Sequence, residues 1–164
     1  MRLCPSRFTA FSLVEVTLAL GVASVSLLAI FGLLATGSQI NHAAIEQTSS
    51  SDILTAVAAD LRATPQTSPP GGTTPTPQFG ISIPANPVSA PAPSPTTLYF
   101  NAQGQSSTTR GPDSRYRLTV AFLPSGTGAR TATFVDLRMT WPAAADPVNS
   151  NTGSAETFVA LDRN

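Results

Sequence analysis

Cysteine is nearly missing from this 164-residue chain, and lysine is missing altogether. With Cys4 as its one cysteine, the chain can form no intrachain disulfide. Met1-Arg2-Leu3 is no apolar stretch, so Cys4 does not read as a lipoprotein acylation site. A single histidine, His42, excludes a multi-histidine metal site. A Ser-His-Asp triad would have to use that residue, and no positioned nucleophile accompanies it. Charge is scarce: 11% of the residues are charged, against about 25% in ordinary globular chains. The formal net charge is zero, which is no basis for a general polyanion binder. No glycine-rich phosphate loop or pair of catalytic carboxylates is visible. Asp113, Asp136, Asp146 and Asp162 are too scattered to read as a calcium loop. The chain therefore reads as non-enzymatic, with no cofactor, no metal and no small-molecule substrate.

What the chain does have begins at its N-terminus. Residues 1–10, MRLCPSRFTA, carry Arg2 and Arg7 and no acid. From Phe11 to Ala35 the chain is almost wholly apolar, and Val16–Leu34 contains no charge. As a helix that stretch spans about 28 Å, close to the roughly 30 Å of a hydrocarbon core. The basic flank predicts a cytoplasmic N-terminus, with the rest of the chain across the membrane. A cleaved secretory signal is a poor match. Its apolar core runs to about 7–15 residues, and Leu34-Ala35-Thr36-Gly37 is a poor cleavage site. A plain signal anchor fits the length. Neither explains Glu15, an acid at the edge of the apolar run, where an ionisable group is costly and functional by default.

Ala10-Phe11-Ser12-Leu13-Val14-Glu15 resembles the processing signal of type IV prepilins and of the pseudopilins of type II secretion. In that family a prepilin peptidase cuts after a small residue, usually Gly, and methylates the new amine on Phe. Ala10 stands here where Gly is usual. The resemblance implies cleavage between Ala10 and Phe11, N-methylation of Phe11, and an assembly role for Glu15. It covers about the first fifth of the chain. The physics agrees with it. A positive amine on Phe11 beside hydrocarbon, and a carboxylate at Glu15, are tolerable when one subunit's charge pairs with its neighbour's. Such pairing would set the axial register of a filament. The chain also resembles the Verru_Chthon cassette prepilin-like proteins, notably the B family, in its long apolar stem and Thr/Pro-rich spacer.

Beyond the membrane the helical period continues. Ile53, Val57 and Leu61 recur at four-residue spacing, with Leu54 and Ala58 on an adjoining row and Asp52, Asp60 and Arg62 as the polar component. One helix from about Ser12 to Arg62 would be ~75 Å long. Residues 63–95 then hold ten of the fifteen prolines, and Pro65 ends the helix. In this stretch Phe79–Ile83 is the one apolar island and a candidate short strand. From Thr97 the period changes to two. Thr97–Asn101, Arg115–Leu123, Arg130–Trp141 and Glu156–Leu161 are the candidate strands, with loops at Leu123–Ala129 and Pro142–Ser154. They predict a three- or four-stranded antiparallel sheet with one apolar face. A sheet so small needs a cover, and the exposed half of the long helix can supply it.

The expected fold class is thus α+β: a long N-terminal transmembrane and stem helix packed on a small antiparallel sheet, the layout the pilin resemblance also implies. The expected organisation is a cytoplasmic leader at 1–10, a transmembrane helix at 11–36, a periplasmic stem at 37–63, a Pro/Thr/Ser-rich linker at 64–96 and a β-rich domain at 97–164. The expected partners are the prepilin peptidase, other pilin or pseudopilin subunits and inner-membrane lipid. Arg115, Arg117 and Arg138 form a candidate basic patch, but Asp136 lies among them and no aromatic residues interleave. After cleavage the chain carries seven Arg and nine acids, so no nucleic acid is expected. An uncleaved single-span binding protein of the cell surface is the competing expectation, and it would retain residues 1–10.

Overall fold

The computed structural model describes residues 12–64, 73–85, 88, 90–125, 132–145 and 153–162. A 51-residue helix α1, Leu13–Ala63, comes first. Seven strands follow among the described residues: β1 (Thr74–Pro75), β2 (Ser82–Ile83), β3 (Thr96–Phe100), β4 (Ser106–Ser107), β5 (Tyr116–Phe122), β6 (Thr133–Trp141) and β7 (Gly153–Leu161). The chain divides within α1 into two compact units, residues 1–44 and 45–164.

In the second unit β3 to β7 form one antiparallel sheet in the order β4-β3-β5-β6-β7. Alternation decides its faces. Tyr116, Leu118, Val120 and Phe122 of β5 are buried, as are Val135, Leu137, Met139 and Trp141 of β6. They fall opposite one another, Leu118 on Met139 and Val120 on Leu137. The same cluster takes in Ile53, Leu54, Val57, Ala58 and Leu61 of α1. This is the i, i+4 row read from the sequence, and it covers the apolar face of the sheet. Each large side chain so buried contributes about 1.5–3 kcal/mol. Edge-to-face ring pairs, Phe79 with Phe100 at 5.7 Å and Tyr116 with Trp141 at 6.2 Å, close the core at that end.

Three features differ from the sequence reading. The sheet has five strands, because the two-residue β4 folds back on Tyr99 and Phe100. Asn101 makes that turn tight: its side-chain oxygen accepts the Gln103 and Gln105 N–H groups. Next, β7 starts at Gly153, not Glu156, since Gly153, Ser154 and Ala155 continue the ladder opposite Trp141, Thr140 and Met139. A glycine suits the first of these positions because a Cβ there would overlap the Trp141 ring. The third difference is the proline-rich segment, which supplies core as well as spacing. Ile81, Ile83 and Val88 are buried, and β1 and β2 pair as a small hairpin. Residues 130 and 131 of the predicted β6 lie outside the described residues, as does Asp146.

Asp60 explains how that segment is held. The sequence reading counted it in the polar component of the stem, and it is buried. Its carboxylate accepts the backbone N–H groups of Gln78 (3.3 Å) and Phe79 (3.1 Å). Thr76 adds a second tie, its hydroxyl oxygen accepting the Ile81 N–H at 3.1 Å. The stem ends where Thr64 donates to the Asp60 carbonyl at 2.7 Å, meeting one of the carbonyls orphaned at a helix C-terminus.

Candidate functional site

The residues singled out by sequence lie at the start of α1. Ser12 immediately precedes the helix, and its carbonyl accepts the N–H groups of Glu15 (3.0 Å) and Val16 (3.2 Å). Ser12 is thus the N-cap and Glu15 the third helical residue, the Ser-x-x-Glu spacing of a capping box. As the one acid in the first turn, Glu15 also complements the positive end of the helix dipole. Ala10 and Phe11 lie outside the described residues.

From Leu13 to Leu34 the large apolar side chains of α1 are exposed on every side, Leu28 and Leu33 each to 73%. A helix apolar all round has no solvated face and needs a nonpolar surrounding. This one is long and apolar enough to cross a membrane. Four of its hydroxyls bond back to the helix itself. Thr17, Ser24, Ser26 and Thr36 donate to the carbonyls of Val14, Leu20, Val22 and Gly32 at 2.7–3.2 Å. These four hydroxyls, like the helix backbone, are therefore met within the helix, as a helix in lipid requires of its backbone.

The second unit holds the other candidate residues. Arg115 donates to Glu46 at 2.8 Å, tying the stem to the start of β5. That hydrogen bond holds the Arg115 guanidinium above its usual range, with burial opposing. The pair is partly exposed, so it adds under about 1 kcal/mol to stability. It borders a polar cleft of about 760 Å³ that also meets Asn101, Gln103, Asp113 and Trp141.

The three arginines do not form one patch. Arg115 turns to Glu46, while Arg117 and Arg138 lie on the open face of the sheet, diagonal to one another across β5 and β6. Asp136 stands beside them, with a buried carboxylate oxygen that meets no hydrogen-bond donor among the described residues. Burial pushes its carboxyl above the usual range, Glu156 adds to the rise, and Arg138 opposes it. His42 is exposed on α1. Among the described residues no group of three or more His, Cys, Asp or Glu is placed to hold a metal ion.

Compared with protein families, with curated proteins and with solved structures, the chain finds no match.

Proposed function

We propose that the chain is a minor pilin or pseudopilin-like structural subunit, or an accessory, of a type IV pilus or type II secretion-type filament. In this reading prepilin peptidase removes residues 1–10 and methylates Phe11. The apolar half of α1 then holds the subunit in the inner membrane, N-terminus inward and sheet domain in the periplasm, until it joins a filament of like subunits.

One observation carries the proposal. A single 51-residue helix is apolar on all sides through its first half and packs on a sheet through its last turns, with Glu15 alone in its first turn. A helix with those two halves suits a subunit held first by lipid and then by neighbouring helices. In that setting Glu15 has two roles. In the lone chain it supports the helix N-terminus; in a filament it meets the methylated amine of the next subunit. The two can be separated. Losing helix-end support costs about 0.3–1 kcal/mol, whereas losing the partner of a buried cation costs about 3–5 kcal/mol.

The deciding measurement is the N-terminal mass of protein extracted from native membranes. A chain starting at N-methylated Phe11 supports processing; retention of Met1–Ala10 favours the uncleaved surface anchor. Glu15→Ala should be processed normally yet incorporate poorly into filaments. Normal incorporation would remove the register role.

A further inference from the structure

Followed back from its C-terminal end, the face of α1 that packs on the sheet changes character. Leu61, Val57, Leu54 and Ile53 are buried and apolar. The next two positions of that face are Ser50, buried, and Glu46, half-buried. Residues 12–45 are all exposed. Glu46 is therefore where the shielded part of the helix begins, and the chain divides into its two units between residues 44 and 45. What ties Glu46 to the sheet is its 2.8 Å pair with Arg115. The Arg115 end of that pair is fixed. Its backbone N–H donates to the Phe100 carbonyl and its own carbonyl accepts the Ala143 N–H, both at 2.8 Å.

The Glu46 end is softer. Close to it stand Thr48, Ser49, Ser50 and Ser51, four successive residues of low helix propensity. Ser50 and Ser51 both donate their hydroxyls to the carbonyl of Gln47, at 2.8 and 2.9 Å. In an α-helix that carbonyl also accepts the Ser51 N–H. Three donors then converge on an oxygen with two lone pairs, and such back-bonding weakens and bends helices. The hydroxyls nearer the N-terminus are arranged otherwise: Thr17, Ser24, Ser26 and Thr36 each take a separate carbonyl. Water and ions reach the Arg115–Glu46 pair, since its side chains are 43% and 22% exposed and border the polar cleft of about 760 Å³.

We propose that residues 47–51 are a hinge in α1, held closed by the Arg115–Glu46 pair acting as a salt-sensitive latch. With the pair made, the turn lies on the sheet. With the pair screened, the turn opens at its crowded carbonyl, while residues 53–61 stay packed by apolar burial. The two parts of the contact respond differently to ions. Screening weakens a pair of exposed charges and leaves a buried apolar row in place. The scale suits a reversible device, because a pair so exposed shifts an equilibrium by up to about fivefold.

The test is amide exchange on the full chain in detergent micelles as sodium chloride rises from ~10 mM to ~1 M, over which the Debye length falls from about 30 to about 3 Å. Exchange at residues 47–51 should quicken by up to about fivefold, while that at residues 53–61 and in β5 holds. Glu46→Gln should start at the high-salt rate and ignore salt. Glu46→Arg combined with Arg115→Glu should restore slow exchange at low salt, which a role in packing alone would not. Ser51→Ala relieves the Gln47 carbonyl and should slow exchange at every salt concentration. If residues 47–51 of the wild-type chain exchange as slowly as residues 53–61 throughout, the hinge is overturned. Glu46→Gln indistinguishable from wild type would overturn the latch. Quickening spread evenly over residues 45–164 would overturn it too, in favour of a general stabilising pair. None of these readouts depends on N-terminal processing, so this proposal and the function proposed above can fail separately.

Discussion

Two carboxylates show how position sets the role of one chemical group. Glu15 stands in the first turn of a helix at the edge of an apolar run, where a carboxylate complements the helix dipole. Asp136 sits in the middle of the open sheet face, between Phe134 and Arg138 in sequence and opposite Ala121 and Phe158 across the strands. Burial and the Glu156 charge favour its neutral form, raising its carboxyl above the unfolded value. A raised carboxyl binds its proton more tightly in the folded state. Its contribution is therefore full below the ordinary Asp range and is lost as pH rises through the raised value. Asp136→Asn, neutral throughout, should escape that loss. Urea denaturation at a series of pH values should show the variant gaining on the wild-type chain as pH climbs from the acid range toward neutrality. Parallel curves would remove Asp136 as the source.

At the scale of elements, α1 is two helices in one. Its first half is a surface without polar relief, and its last turns are an amphipathic cover whose buried row is Ile53, Val57 and Leu61. That row was legible because a helix places every fourth residue on one face. The strands were legible for the matching reason, as burial in β5 alternates without exception. Asp60 was not legible. It falls three residues after Val57, next to the core row, and an acid there reads as solvent-facing until a distant turn arrives to use it. Leu61→Ala should destabilise the second unit by about 2–5 kcal/mol through the cavity it leaves. Asp60→Ala should cost about 1–3 kcal/mol by stranding two backbone donors. Chemical denaturation measures both. Amide exchange tells them apart: Asp60→Ala should expose the Gln78 and Phe79 amides well before the sheet opens, and equal protection there would contradict the tie.

At the scale of the molecule, the division falls inside a helix, not at a loop. Residues 45–164 contain the whole described sheet and the helical row that covers it. A chain starting at Ile45 should be soluble without detergent and unfold in a single cooperative transition, checked by sedimentation and thermal melting. Aggregation of that fragment would show that the core needs more of α1 than its last turns.

The sequence by itself determined the helix, its apolar half, the solitary Glu15 and the two-residue alternation of the strands. These are local patterns, and the period of hydrophobic residues is a local quantity. Tertiary structure alone decided the fifth strand, the burial of Asp60, and the recruitment of Ile81, Ile83 and Val88 into the core. Each of those depends on where a distant backbone group comes to rest, and a proline-rich segment has no periodicity from which to read it. Asp60 and the Phe79 amide are 19 residues apart in sequence and 3.1 Å apart in space, and only the folded chain brings them together.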